Sequence, residues 1–248
     1  MKIHHLGPVA TFWPSLATPK IWIFAALTLV FAVLGRAVRG VTTCGAVAGG
    51  VVCFAILLGS GVGGFSALLV VFLLTWAATR VGYAYKQRLG MAEARGGRNA
   101  AQVLANVGVA ALCAVLSIVF RDQRLLVAFG AALAEAAADT VSSEIGQAVG
   151  GTPRLVTSWK PIVAGTDGAI SVAGTLAGAA AAVLVSLTCV LARVLDWHEF
   201  VACAGAGTFG MIADSLLGAT LERRGVLGNN AVNFISTGIA ALTGFLLS

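Results

Sequence analysis

The chain has 248 residues, 58% hydrophobic and 10% charged, with a mean hydropathy of +0.94. Soluble domains carry about 25% charged residues, so this composition excludes a soluble globular core and indicates a polytopic membrane protein. The formal charge of +6, set among bilayer-length apolar runs, is assigned to topology and to anionic lipid, not to nucleic acid.

Residues 1–20 form an N-terminal tail that lacks the long apolar core and small-residue cleavage site of a signal peptide. Residues 21–248 form one membrane domain. At roughly 20 apolar residues per crossing, the predicted spans are 21–38, 41–59, 63–83, 99–120, 124–149, 168–194, 198–221 and 230–247. The expected fold is an all-α transmembrane bundle of about eight helices. Arg36, Arg39 and Gly40 separate the first two spans, which form a tight hairpin, or seven crossings result if one of them is re-entrant. The prolines fall outside the apolar runs, and 31 glycines allow close helix approach and permit a homodimer. Cys44, Cys53, Cys113, Cys189 and Cys203 form no CxxC, and His4, His5 and His198 form no HExxH. The cysteines therefore read as small packing residues, and the absence of a His cluster argues against a zinc hydrolase.

Eight crossings place Arg36, Arg39, Arg80, Lys86, Arg88, Arg95, Arg98, Arg154, Lys160, Arg223 and Arg224 on one face. Lys2, Lys20, Arg121, Arg124 and Arg193 fall on the other. The richer face is expected to be cytoplasmic, with both termini outside, in a bacterial inner membrane or its equivalent.

Polar residues inside the apolar runs converge on that same face. In the fifth span, Glu135, Asp139 and Ser142 share one helical stripe, flanked by Ser143 and Glu144. An Asp near the centre of a lone helix costs about 2.5–3.5 kcal/mol to insert, so these acids need an interior, a wet cavity or a cation. An all-oxygen set suits Mg²⁺, which keeps waters and bridges phosphates; an interhelical stripe paired with arginines is the other reading. The seventh span repeats the pattern with Asp214, Ser215 and Glu222, and Gly218 leaves room for a bulky group. Arg98, Gln102 and Asn106 recur every four residues at the start of the fourth span, beside Asn99. A helix N-terminus favours anions, so this stripe reads as a phosphate or ribose site, or as amide contacts between helices. Arg154 and Lys160 either clamp phosphates or are plain loop cations, and the turn Gly165-Thr166-Asp167-Gly168 is not a Walker A motif. Asn229, Asn230, Asn233 and Ser236 open the last span; capping explains part of the group, and base, ribose or phosphate contacts the rest.

Taken together, GRNAAQVLAN (97–106), ADTVSSEIG (138–146), PRLVTSWK (153–160), GTDGAISVAG (165–174), DSLLGA (214–219) and NAVNFIS (230–236) resemble a known family. It is the integral membrane family that contains plant and cyanobacterial phytyl-phosphate kinase and a human multi-pass protein. The likeness spans about residues 25–248 and keeps the motif order. It implies a kinase that uses CTP or another nucleoside triphosphate to phosphorylate a prenyl monophosphate of the phytyl, geranylgeranyl or farnesyl type. One departure is Asn229-Asn230, where an acidic residue is expected beside the asparagine of the last motif.

On this reading Asp139, Lys160 and Arg98 are catalytic, and Glu135, Asp139, Glu144 and Asp214 hold Mg²⁺. The nucleotide and phosphates contact Arg98, Asn99, Gln102, Asn106, Ser142, Ser143, Arg154, Lys160, Gly165, Thr166, Asn230 and Asn233. Ser215, Gly218 and Glu222 lie beside the lipid substrate. Three alternatives stay open: a CDP-lipid-forming cytidylyltransferase, a prenyl alcohol kinase, and a transporter or lipid flippase using the acids as relays. Clustering of the acids at one face and the lack of a clear inverted repeat argue against transport.

Overall fold

The computed structural model describes residues 19–92, 96–149 and 151–248. The tail up to residue 18, with Lys2, His4 and His5, and also Arg95, lies outside the described residues. Helix α1 (Pro19–Ala37) begins at a proline, whose fixed φ suits the first helical position. A tight turn follows, with Arg39 in the left-handed region and the Gly40 amide donating to the Gly35 carbonyl at 2.9 Å.

Helix α2 (Thr43–Arg80) is N-capped by Thr42 and broken at Gly61, whose φ of 65° and ψ of −159° are non-helical. A straight helix of that length would measure about 57 Å. Instead Phe72 packs back against Gly35 and Gly40, Phe31 meets both Phe65 and Phe72, and Trp76 and Arg80 donate to the Val38 carbonyl. Helix α2 is therefore a hairpin of two antiparallel arms, 43–60 and 62–80, each about 27–28 Å long, close to the hydrocarbon thickness. The described residues hold seven helices long and apolar enough to span a bilayer. Since α2 crosses twice, the chain makes the eight crossings expected, with one glycine as the second connection.

The short helix α3 (Tyr83–Arg88) leads to α4 (Ala100–Phe120), which opens with a capping box between Asn99 and Gln102. Helix α5 (Arg124–Val149) is followed by a two-stranded antiparallel ribbon, β1 (Arg154–Leu155) against β2 (Ala169–Ile170). Helix α6 (Val172–Leu191) starts at its Ser171 cap, later than expected, because Ala169 and Ile170 belong to β2. Helix α7 (Phe200–Leu217) follows the 3-10 turn Trp197–Glu199 and ends in a π turn, Gly218–Glu222. Helix α8 (Asn229–Leu247) completes the bundle.

Helix α5 is the hub, packed against α2, α4, α6, α7 and α8. Its alanines from Ala128 to Ala138, with Phe129 and Leu133, are buried. Small residues bring its neighbours in: a Cβ on Gly178 would lie 2.6 Å from the Ala138 carbonyl oxygen, and one on Gly207 would lie 2.6 Å from the Ala134 Cβ. Surrounded by protein on all sides, α5 can carry carboxylates at membrane depth without showing them to lipid.

Candidate active site

Alternation of the crossings brings the described residues of four connections to one end of the bundle: 38–42, 81–92 with 96–99, 151–171 and 223–228. The described cations Arg36, Arg39, Arg80, Lys86, Arg88, Arg98, Arg154, Lys160, Arg223 and Arg224 belong to this end, while Lys20, Arg121, Arg124 and Arg193 belong to the other. A polar cavity of about 430 Å³ opens here among α4, α5, α7, α8 and the 151–171 loop. Asp139, Glu144, Asp167, Asp214 and Glu222 line it, and Arg98 is the one cationic side chain among the described residues that do. Gln102, Asn106, Gln147, Asn229 and Asn233 add amides, and Ser142, Ser143, Thr166, Ser171 and Ser215 add hydroxyls.

The carboxyl groups of Asp139 on α5 and Asp214 on α7 lie within hydrogen-bonding reach of each other. The Ser236 hydroxyl donates to Asp214 Oδ2 at 3.0 Å, and Asp139 faces the charge of Arg98. The Arg98 backbone is pinned to the α1–α2 turn: its amide donates to the Gly40 carbonyl (3.1 Å), and its carbonyl accepts from the Thr42 amide (2.9 Å). This approach requires glycine at position 45, where a Cβ would stand 2.2 Å from the Arg98 carbonyl oxygen. The side chain then reaches α5, donating from Nη2 to Thr140 Oγ1 at 3.1 Å. Asn106 Nδ2 donates to the Gln102 carbonyl at 2.8 Å, and Asn233 Nδ2 to Asn106 Oδ1 at 3.4 Å, which joins α8 to α4. The π turn widens the end of α7 where Glu222 faces Asp167 and Asp139. Such bulges are frequent at functional sites.

Among the described residues no three His, Cys, Asp or Glu side chains form a metal cage of their own. Mg²⁺ does not need one, since it is usually held by one or two carboxylates, waters and substrate phosphates. The abutting Asp139 and Asp214, with the Ser142 hydroxyl on the same wall, fit that donor set.

The family model of the integral membrane protein DUF92 matches residues 26–241, a stretch that includes every residue of the cavity. The chain belongs to this family. It is the family that the six sequence motifs resemble. An uncharacterized membrane protein of Methanocaldococcus jannaschii, MJ0933, is 34% identical over 229 residues, covering 92% of this chain and 94% of that protein. Protein VTE6, chloroplastic, of Arabidopsis thaliana is 33% identical over 197 residues, covering 75% of this chain and 59% of that protein. Protein PGR of the same plant is 31% identical over 238 residues, covering 74% of this chain and 80% of that protein. No solved structure matches the chain.

The cavity gathers fourteen residues expected from the sequence: Arg98, Gln102, Asn106, Asp139, Ser142, Ser143, Glu144, Gly165, Thr166, Asp214, Ser215, Gly218, Glu222 and Asn233. Five others stand outside it. Glu135 lies beneath, 1% exposed, with Oε1 unpartnered and the charges of Asp139 and Asp214 nearby. The Asn99 side chain is taken up by the α4 cap, accepting from the Gln102 amide. Arg154 donates to the Trp159 carbonyl at 2.7 Å, bracing the turn that exposes Lys160. Asn230 is exposed, and its neighbour Asn229 lines the cavity instead.

Glu144 also needs a correction as a free metal ligand: it is ion-paired with Lys86. Lys86 is fully buried and donates as well to the carbonyls of Ala78 and Thr79. The pair spans 58 residues of sequence, and Lys86 in the sequence is one loop cation among several. Asp167 and Gln147 were also missed. The glycine turn around Asp167 was the only available signal for it, and nothing local marks Gln147.

Proposed function

We propose that this protein is a Mg²⁺-dependent membrane kinase that uses a nucleoside triphosphate, CTP favoured, to convert a prenyl monophosphate to the diphosphate at the cytoplasmic face. The observation that carries the reading is the acidic cavity itself: among the described residues, five carboxylates, one of them neutralised by Lys86, face one arginine at the cationic end of a membrane bundle. Such a cavity would repel a nucleotide polyphosphate unless divalent cations came with it. The motif resemblance to a family containing phytyl-phosphate kinase supports the same chemistry. The excess of Arg and Lys at this end supports a cytoplasmic site.

When bound, Mg²⁺ would be held by Asp139 and Asp214 and would neutralise the β- and γ-phosphates. The chain's own task is to position two anions in line and stabilise the developing charge. An oxygen of the acceptor phosphate forms the new bond to the γ-phosphorus. The bond from that phosphorus to the β–γ bridging oxygen breaks, and nucleoside diphosphate leaves. The acceptor is already ionised, so no strong base is required. Arg98 lies where both phosphates must meet, and the amides of Asn106, Gln102 and Asn233 donate beside it. An alcohol acceptor would instead need a base, for which Asp139 is placed.

Product analysis on purified protein in detergent tests the proposal, with CTP, ATP, GTP or UTP offered with phytyl, geranylgeranyl and farnesyl monophosphates and the matching alcohols. Prenyl diphosphate with nucleoside diphosphate is expected. CDP-lipid with pyrophosphate would make the protein a cytidylyltransferase, and no turnover by folded protein would sink the kinase reading.

A further inference from the structure

A second cavity, also about 430 Å³, lies beside the acidic one and has the opposite character. Its walls come from α1, both arms of α2 and the start of α4, with Phe31, Val52, Leu68, Val71, Phe72 and Val107 as apolar lining. Among the described residues no carboxylate lines it, whereas Arg39, Arg80 and Arg98 do. None of these three arginines forms an ion pair with a described residue. The two cavities share Arg98 and Asn106. One guanidinium therefore stands at the junction of an acidic chamber and an apolar one.

The lining runs along the second α2 arm from Arg80 to Leu68, about 18 Å at 1.5 Å per residue. That depth passes the middle of a hydrocarbon core of about 30 Å. A nucleobase would need far less room and would leave the inner aliphatic wall uncovered. Two features hold the space open: the Gly61 reversal sets the arms side by side, and a Cβ on Gly49 would meet nothing within 4 Å.

We propose that this apolar cavity is the binding site for the prenyl chain of the phosphorylated lipid, with its phosphate at Arg98 and its tail running inward between α1, α4 and the α2 arms. The proposal rests on the kinase reading for the identity of the lipid and deepens it by giving the tail a place. The cationic mouth matches an anionic head, the aliphatic and aromatic inner wall matches a neutral tail, and continuity through Arg98 and Asn106 delivers the phosphate to Asp139. The inner end of the cavity then sets an upper limit on chain length.

Gly49→Phe tests the site by filling it with a side chain that has open space ahead of it. Relative to wild type, kcat/KM for geranylgeranyl monophosphate should fall at least about tenfold, the order that pocket volume imposes on selectivity. The loss should grow with chain length, smallest for geranyl monophosphate and largest for geranylgeranyl monophosphate, while the nucleotide KM stays within about twofold. An equal loss at every chain length, or no loss, in protein whose thermal unfolding is unchanged would overturn the assignment.

Photolabelling with a diazirine-bearing farnesyl monophosphate reads binding without turnover. Label on residues within 31–52 and 68–80, competed by unlabelled geranylgeranyl monophosphate, is expected even if no nucleotide is consumed, in which case the tail site stands and the kinase reading falls. Turnover with label on α6 or α8 instead would remove the tail site alone. A membrane phospholipid retained in the cavity and not displaced by prenyl phosphate would also overturn it.

Discussion

The two cavities have about the same volume and open at the same end of the bundle, yet one is lined mostly by polar atoms and the other mostly by carbon. The difference follows from which helices make them. The acidic chamber is walled by α5, which protein encloses on every side, so that charge there is shielded from lipid. The apolar chamber is walled in part by α1, where Gly35 alone is buried, Phe24, Leu27 and Phe31 pack partly against the core, and Trp22, Ile23, Leu29, Val30, Val33 and Leu34 are exposed. Membrane depth alone does not decide where a carboxylate can sit; enclosure by other helices does. Arg98 belongs to both chambers because its backbone is tied to the apolar wall at Gly40 and Thr42 while its side chain reaches α5.

The comparison breaks most sharply at the acid pair. Asp139→Asn and Asp214→Asn should each lower phosphoryl transfer by about 10²–10³-fold, the loss typical of one electrostatic stabiliser, with lipid photolabelling retained. Lys86→Met leaves Glu144 unpaired beside the acidic chamber and should destabilise the fold by about 3 kcal/mol. That is the low end for a broken buried pair, because the Glu144 side chain is 11% open. Chemical denaturation in detergent measures it, and Lys86→Met/Glu144→Gln should recover most of the loss. Arg98→Ala touches both chambers and should cost about 10²-fold in kcat/KM, raising the KM for lipid and nucleotide together.

Gly61→Ala acts on the apolar side only. Its backbone conformation is nearly exclusive to glycine, so about 1–2 kcal/mol of strain is expected, with loss of long-chain acceptors ahead of short ones. Asp122→Ala, remote from both chambers, should leave activity unchanged. Hydrogen bonds from Arg124 hold the Asp122 carboxyl below its ordinary pKa. Any contribution it makes is therefore present above the unfolded-state pKa and fades as the pH drops through the folded-state value. Solvent reaches both members of the pair, and the resulting screening keeps that contribution beneath detection by thermal unfolding.

Much of this was legible in the chain because a bilayer imposes strong local rules. Bilayer-length apolar runs located the crossings, and acids inside them marked α5 and α7. The Arg98, Gln102, Asn106 stripe came from a spacing of four. Long-range geometry was not legible. Nothing local tells that Lys86 meets Glu144, or that the Arg154 guanidinium turns to the Trp159 carbonyl and away from the cavity. Glu135 shares the stripe of Asp139 but lies deeper, beneath the cavity floor, where packing against α7 and α8 closes it off. Asn99 shows a local rule applied to the wrong end: its capping role was readable from Gln102 three residues on, and that role occupies the side chain that had been given to the nucleotide.

The central claim is that Asp139 and Asp214 make one cation site that lets an acidic chamber accept a polyphosphate. Mn²⁺ binding followed by electron paramagnetic resonance on purified protein, with a non-hydrolysable CTP analogue, tests it without relying on turnover. The account predicts saturable Mn²⁺ and nucleotide binding that depend on each other in the wild type and vanish together in the Asp139→Asn/Asp214→Asn protein. Nucleotide that binds equally well without a divalent cation, or Mn²⁺ that the double variant still holds at wild-type affinity, would contradict it.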